Sequence, residues 1–158
     1  MKDILQKEQG TYVAVNYDRN TKTQLRAWFK NVGLRDRVRI DSIHTTLLYS
    51  RKTVLRAFDL AGPRTIVAKP ANFQLFDSEN GHNDVLVLGM LCHEFDQLHD
   101  DLINMGGTHD HPEYNPHVTL SFNPPDDHEW IEQLPIPDFP FVTTDIFVEP
   151  LNTDWKDK

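Results

Sequence analysis

Apolar and polar positions alternate over residues 11–17 (TYVAVNY), the two-residue period of a strand with one face in a core. The period then changes. Asp18 and Asn20 offer helix N-caps, and Leu25, Trp28, Phe29 and Val32 recur at helical spacing until Gly33, a stop signal. Residues 38–40 and 43–49 are rich in β-branched and aromatic side chains and read as extended. The stretch 66–76 predicts one or two further strands, interrupted by Pro70. Asn80-Gly81 marks a turn into a strand over 85–90. Phe95, Leu98, Leu102 and Met105 then share one helix face, ended by Gly106-Gly107. A loop over 108–116 leads to a strand over 117–122, closed by Pro124-Pro125. A short helix over 127–134 and a last strand over 141–148 complete the chain.

The order is therefore β-α-β-β-β, then β-α-β, then a closing strand. Strands outnumber helices and several are joined by short turns, which predicts largely antiparallel sheets in an α+β arrangement. With 158 residues and no long linker, one domain over residues 1–158 is expected, with room for two small lobes sharing a core.

Composition narrows the function. Hydrophobic residues at 39% and charged residues at 25% are ordinary for a soluble globular chain. No apolar run approaches the roughly 20 residues of a membrane span, and the first ten residues hold no apolar signal-peptide core. A single cysteine, Cys92, excludes an internal disulfide framework and suits a reducing cytoplasm; its apolar surroundings predict a buried structural thiol.

The net charge of −8 argues against a protein that tracks long nucleic acids. Its distribution says more. Of the 16 Lys and Arg, 14 fall within residues 1–69, whereas the stretch 70–155 has none against 17 Asp and Glu. Any cationic help for a bound phosphate must come from the first half, where Arg35, Arg37, Arg39, Arg51, Lys52 and Lys69 lie. Such an arrangement fits a small anionic ligand held locally.

The chemistry lies in one internal echo. His44-Thr45-Thr46-Leu47 and His117-Val118-Thr119-Leu120 share the pattern His-x-Thr-Leu, 73 positions apart, and each lies in a strand-like segment. In a strand, residues i and i+2 point to the same face, so His44 projects with Thr46 and His117 with Thr119. Threonine holds its hydroxyl stiffly, a good donor to a phosphate oxygen. Imidazole alone has an unperturbed pKa near neutrality. Two of them, one neutral and one protonated, can take a proton from a nucleophile and return one to a leaving oxygen, with no metal or other cofactor required. The competing signal is the cluster His109, Asp110, His111, Glu113 and His117, whose His-x-His step hints at a metal site. Pro112 and Pro116 punctuate it, and it lacks helical ligand spacing, so a solvated loop is the better reading. His82, His93, His99 and His128 read as surface positions.

Two such motifs in a chain of this length resemble the two-histidine phosphoesterase superfamily. That resemblance implies a bilobal α+β fold, with two largely antiparallel sheets lining a central cleft, helices outside and one motif on each wall. Within the superfamily the chain is similar to the phage anti-CBASS phosphodiesterases, which degrade cyclic oligonucleotide signals in the host cytoplasm. The matching features are the Tyr12 strand, the runs Ile43 to Lys52 and Asn115 to Leu120, and the C-terminal Glu149 and Trp155. The resemblance implies catalysis by His44, Thr46, His117 and Thr119, with Tyr12 and Trp155 contacting or stacking on a base and Glu149 bonding its edge. Phe73 and Phe76 are further candidates for a base wall, with core packing the commoner use of such residues.

The substrate so implied is a cyclic di- or trinucleotide. A ribose 2′-hydroxyl attacks its own 3′-phosphate, with His44 expected as the first base and His117 as the first acid. Two other readings compete: an RNA-processing member acting on 2′,3′-cyclic phosphate or 2′,5′-linked ends, and a cyclic-nucleotide sponge. Retention of both acid–base groups weighs against the sponge.

Overall fold

The structure is a computed structural model and describes residues 9–34, 36–76, 85–122, 124 and 128–151. Its strands are β1 (Thr11–Tyr17), β2 (His44–Ser50), β3 (Gly62–Pro63), β4 (Val67–Phe76), β5 (Val85–Leu91), β6 (His117–Ser121) and β7 (Phe141–Pro150). The α-helices are α1 (Arg19–Val32), α2 (His93–Asn104) and α3 (His128–Glu132). Two 3-10 helices, Ile40–Ser42 and Leu55–Leu60, had no clear signal in the sequence. None of the described helices is long and apolar enough to cross a membrane.

Every strand pairing is antiparallel, and the order is β2-β1-β7-β4-β5-β6, with β3 on β7. The expected two sheets are present as two blocks, β2-β1-β7 and β4-β5-β6. They are continuous, because the long strand β7 pairs with β1 along its length and with β4 through Val67–Val142 and Ala68–Phe141. Stretch 66–76 forms one strand despite Pro70. A register shift between Pro70 and Asn72 absorbs the ring, and β7 pairs with β4 only at Val67 and Ala68, so the missing N–H breaks no ladder on that side.

Local chemistry sets the helices. Asp18 caps α1 by accepting from the Thr21 N–H at 2.8 Å, and Gly33, at φ 66°, ends it by bonding back to the Phe29 carbonyl. Leu25, Trp28 and Phe29 are its buried face. Helix α2 buries Phe95, Leu98 and Leu102, and also His99, which is 6% exposed and not at the surface as expected.

The 73-residue offset of the two motifs extends beyond them. It carries Leu25 to Leu98, Phe29 to Leu102 and Gly33 to Gly106, which also has positive φ. It carries the cross-strand pair Asn16–His44 to Gly89–His117. Both halves are thus strand–helix–strand units with the motif at the start of the second strand. Their helices cross over: Trp28 of α1 stacks on Phe73 of β4, while His99 of α2 bonds to β2. One continuous core results, with Val13, Val15, Leu47, Leu86, Leu88, Val118 and Leu120 from both halves.

Candidate active site

The two strands at the ends of the sheet, β2 and β6, meet. The Tyr17 hydroxyl donates to Thr45 Oγ1 at 2.6 Å, and Thr45 donates onward to the His117 carbonyl at 3.0 Å. This buried relay ties the first motif to the backbone of the second. Burial holds the Tyr17 hydroxyl far above the ordinary phenol range, so it stays a neutral donor.

The two histidines are held alike. His44 Nδ1–H donates to the Ser42 carbonyl at 2.8 Å, and His117 Nδ1–H donates to the Asn115 carbonyl at 2.8 Å. Each bond reaches back two residues, which fixes the tautomer and leaves Nε2 as the nitrogen free for proton transfer. The surroundings differ. His44 is exposed, with the Tyr12 ring edge-on at 6.4 Å. His117 is half-buried, with the Phe76 ring edge-on at 4.9 Å. Burial holds His117 below the ordinary imidazole value; the Asn115 carbonyl partly offsets this, and nearby His44 adds to it.

Thr46 shares a hydrogen bond of 2.8 Å with the Tyr12 hydroxyl. Burial above all keeps Tyr12 protonated, with Glu149 and Tyr49 acting in the same direction. With Tyr12 as donor, the Thr46 proton is left for a ligand. Thr119 lies on the same face of β6 as His117 and is half-buried; its backbone stands in the ladder opposite Val87, and its hydroxyl has no hydrogen-bond partner among the described residues. Glu149 is the cross-strand neighbour of Tyr12 and is exposed. The structure therefore groups His44, Thr46, Tyr12 and Glu149 on one wall, and His117, Thr119 and Phe76 on the other. Trp155 lies outside the described residues, as do Arg35 and His82; His128 begins α3, and its side chain is not described. Phe73, the other candidate base wall, belongs instead to the stack with Trp28.

Several supporting residues gave no signal in sequence. The Tyr114 hydroxyl donates to the Thr46 carbonyl at 2.7 Å, and His99 Nδ1–H donates to the Leu47 carbonyl at 2.7 Å. The two rings stack at 4.1 Å and 5°. Together they satisfy two backbone carbonyls of β2. Burial lowers the His99 pKa, which keeps the ring neutral in this role. His109 stands edge-on to His99 at 4.7 Å and bonds the Glu113 carbonyl, while Asp110 pairs with Arg51 at 2.9 Å. The loop cluster thus braces β2, and among the described residues no group of three or more His, Cys, Asp or Glu is arranged to hold a metal ion. Of the cations singled out in the first half, Arg51 is engaged by Asp110 and Arg37 lies 5.8 Å from the Phe29 ring centre. Tyr49 and Phe147 were also missed; their rings lie 6.3 and 6.0 Å from Tyr12 and complete the first wall. Alternation along β7 from Glu149 would have found Phe147.

Comparison with known proteins identifies the family and the fold. The family model "Anti-CBASS protein Acb1" matches residues 9–158. The anti-CBASS protein Acb1 of Vibrio phage KVP40 is 34% identical over 153 residues, covering 93% of this chain and 91% of that protein. The Acb1 protein of Enterobacteria phage T4 is 29% identical over 152 residues, covering 94% and 92% respectively. The crystal structure of Escherichia coli LigT complexed with phosphate superposes with a TM-score of 0.60 at 16% identity, over 90% of this chain and 87% of LigT. At that identity the likeness is one of fold, the two-histidine phosphoesterase fold that the paired motifs resemble. With the family model spanning residues 9–158, the chain belongs to the anti-CBASS protein Acb1 family.

Proposed function

We propose that this chain is a metal-independent phosphodiesterase that opens cyclic di- or trinucleotide signals in the host cytoplasm and so counters CBASS. The observation that carries the reading is the matched pair of imidazoles, each pinned through Nδ1 to the carbonyl two residues before it, each with Nε2 free. Family membership supports the anti-CBASS role, and the acid–base pair supports phosphodiester chemistry.

The reaction runs as an internal transfer. A ribose 2′-oxygen forms a bond to its own 3′-phosphorus while the bond to the 5′-oxygen breaks. One histidine removes the 2′-proton and the other delivers a proton to the departing 5′-oxygen, leaving a 2′,3′-cyclic phosphate end. Water can then open that end with the roles reversed. Thr46 and Thr119 donate to the phosphorus-bound oxygens as charge grows on them. The asymmetry of the pair favours His117 as the first base, the reverse of the expectation from sequence. Its burial, the Phe76 ring and His44 all disfavour its charged form. Exposed His44 then acts as the acid. Tyr12 holds Thr46, and Glu149 stands beside Tyr12 to bond the edge of a base.

The nucleophile is tested with a cyclic dinucleotide lacking its 2′-hydroxyls. The proposed reaction leaves it intact, while the ribose form yields a transient 2′,3′-cyclic phosphate end visible by mass spectrometry. Cleavage of the deoxy ring at a comparable rate would overturn the internal attack and point to direct attack by water.

A further inference from the structure

A groove of about 820 Å³ opens beside the first motif, within the size range of small-ligand sites. One wall is Asn16 and Asp145, paired across β1 and β7; Asn16 is also the cross-strand neighbour of His44. The opposite wall is the face of α1 carrying Arg19, Lys22 and Arg26, and Asp41 lies at one end. Arg19 and Arg26 are exposed and Lys22 is half-buried. None of the three forms an ion pair among the described residues. Asp145 is occupied by Asn16 Nδ2, at 3.2 and 3.3 Å to its two oxygens.

Two features mark these cations as more than a solvated face. First, Arg19 and Lys22 stand at the N-terminal end of α1, where the helix dipole disfavours positive charge, and the first turn holds no acidic residue. Helix α2, its counterpart, follows the ordinary preference with Glu94 and Asp96 in its first turn. The Asp18 carboxylate at that end is engaged by the Thr21 N–H, and cations placed against a local preference are a mark of a site. Second, the groove belongs to one half only. The 73-residue offset carries Lys22 to Phe95, Arg26 to His99 and Asp41 to Tyr114. In the second half those positions are filled, by buried Phe95 and by the His99–Tyr114 stack. The first half keeps the same place open and lines it with cations.

We infer that this groove is a second phosphate subsite, in which Arg19, Lys22 and Arg26 hold the non-scissile phosphodiester of the ring while His44 and His117 act on the other. Guanidinium groups suit such an oxygen pair, since they can donate two parallel hydrogen bonds. The inference rests on the proposed cyclic oligonucleotide substrate and adds how a ring is told from a single phosphodiester.

Steady-state kinetics on an adenine-containing 3′,3′-cyclic dinucleotide tests it. Arg19→Gln/Arg26→Gln is compared with the charge-matched Lys30→Gln/Arg56→Gln, both of whose sites are exposed and lie outside the groove. The groove variant should raise KM about tenfold, the loss of one or two charge-assisted bonds, with kcat within about twofold of the parent. The control should leave both constants within about twofold. A parental KM in the groove variant, or an equal rise in the control, overturns the subsite while ring opening by the parent stands. Failure of the parent to open any cyclic dinucleotide removes the substrate reading and the subsite with it.

Discussion

The proposed catalysis depends on how single side chains hold their protons. His117 is disfavoured from charging first by burial and further by His44, so its ring should titrate below the ordinary value of 6.5. Removing the neighbouring imidazole relieves the second effect. In His44→Ala the His117 midpoint should therefore move upward, measured from the pH dependence of its ring proton signals. An unchanged or lowered midpoint would mean that the two rings do not sense each other. Tyr12 makes a second case. Its substitution by Phe removes the bond to Thr46 and keeps the ring among Tyr49, Phe147 and His44. The expected result is a fall of about two- to tenfold in kcat, the worth of one hydrogen bond. A change in KM alone would assign Tyr12 to base binding instead. The two motifs were legible because their chemistry is local and repeated. Tyr114 was not, because its hydroxyl reaches a carbonyl 68 residues away and no local pattern marks that meeting.

Strands and helices were read well where their own residues decide them. The Asp18 cap and the Gly33 stop of α1 are bonds within a few residues, and both are present. The short strand Gly62–Pro63 has no local signal because its partners across the sheet, Ile146 and Asp145, define it. His99 was misplaced for a related reason. Its burial depends on the loop that brings Tyr114 over it and on Leu47, 52 residues earlier. One glycine shows how tightly the edge of β1 is set. A Cβ on Gly10 would fall on the Ser50 carbonyl oxygen, backbone that cannot swing away, and would also meet the Leu151 side chain. Gly10→Ala should cost about 1–3 kcal/mol, read as a drop in the midpoint of thermal unfolding. An unchanged midpoint would show that β1 and β2 do not approach this closely.

At the scale of the whole molecule, two related strand–helix–strand halves differ in how one corresponding place is filled. The halves share a core and a motif, yet one fills with an aromatic stack the place that the other leaves as a cationic groove. The stack has a consequence for stability. His99 and His117 both bind a proton less readily in the fold than in the unfolded chain, because burial opposes their charge. The unfolded state therefore takes up more protons as pH falls through about 6.5, and stability drops until the folded values are passed. Denaturant midpoints should fall between pH 7 and 5, and His99→Gln should shrink that fall. In the proposed reaction two histidines, without a metal, open a cyclic oligonucleotide. Its most direct test is a digest of an adenine-containing 3′,3′-cyclic dinucleotide in EDTA, followed by chromatography for the parent, His44→Ala and His117→Ala proteins. Ring opening by the parent, with losses of about a hundredfold or more in each variant, is the predicted result. An intact ring with the parent, or opening that persists in either variant, would contradict it.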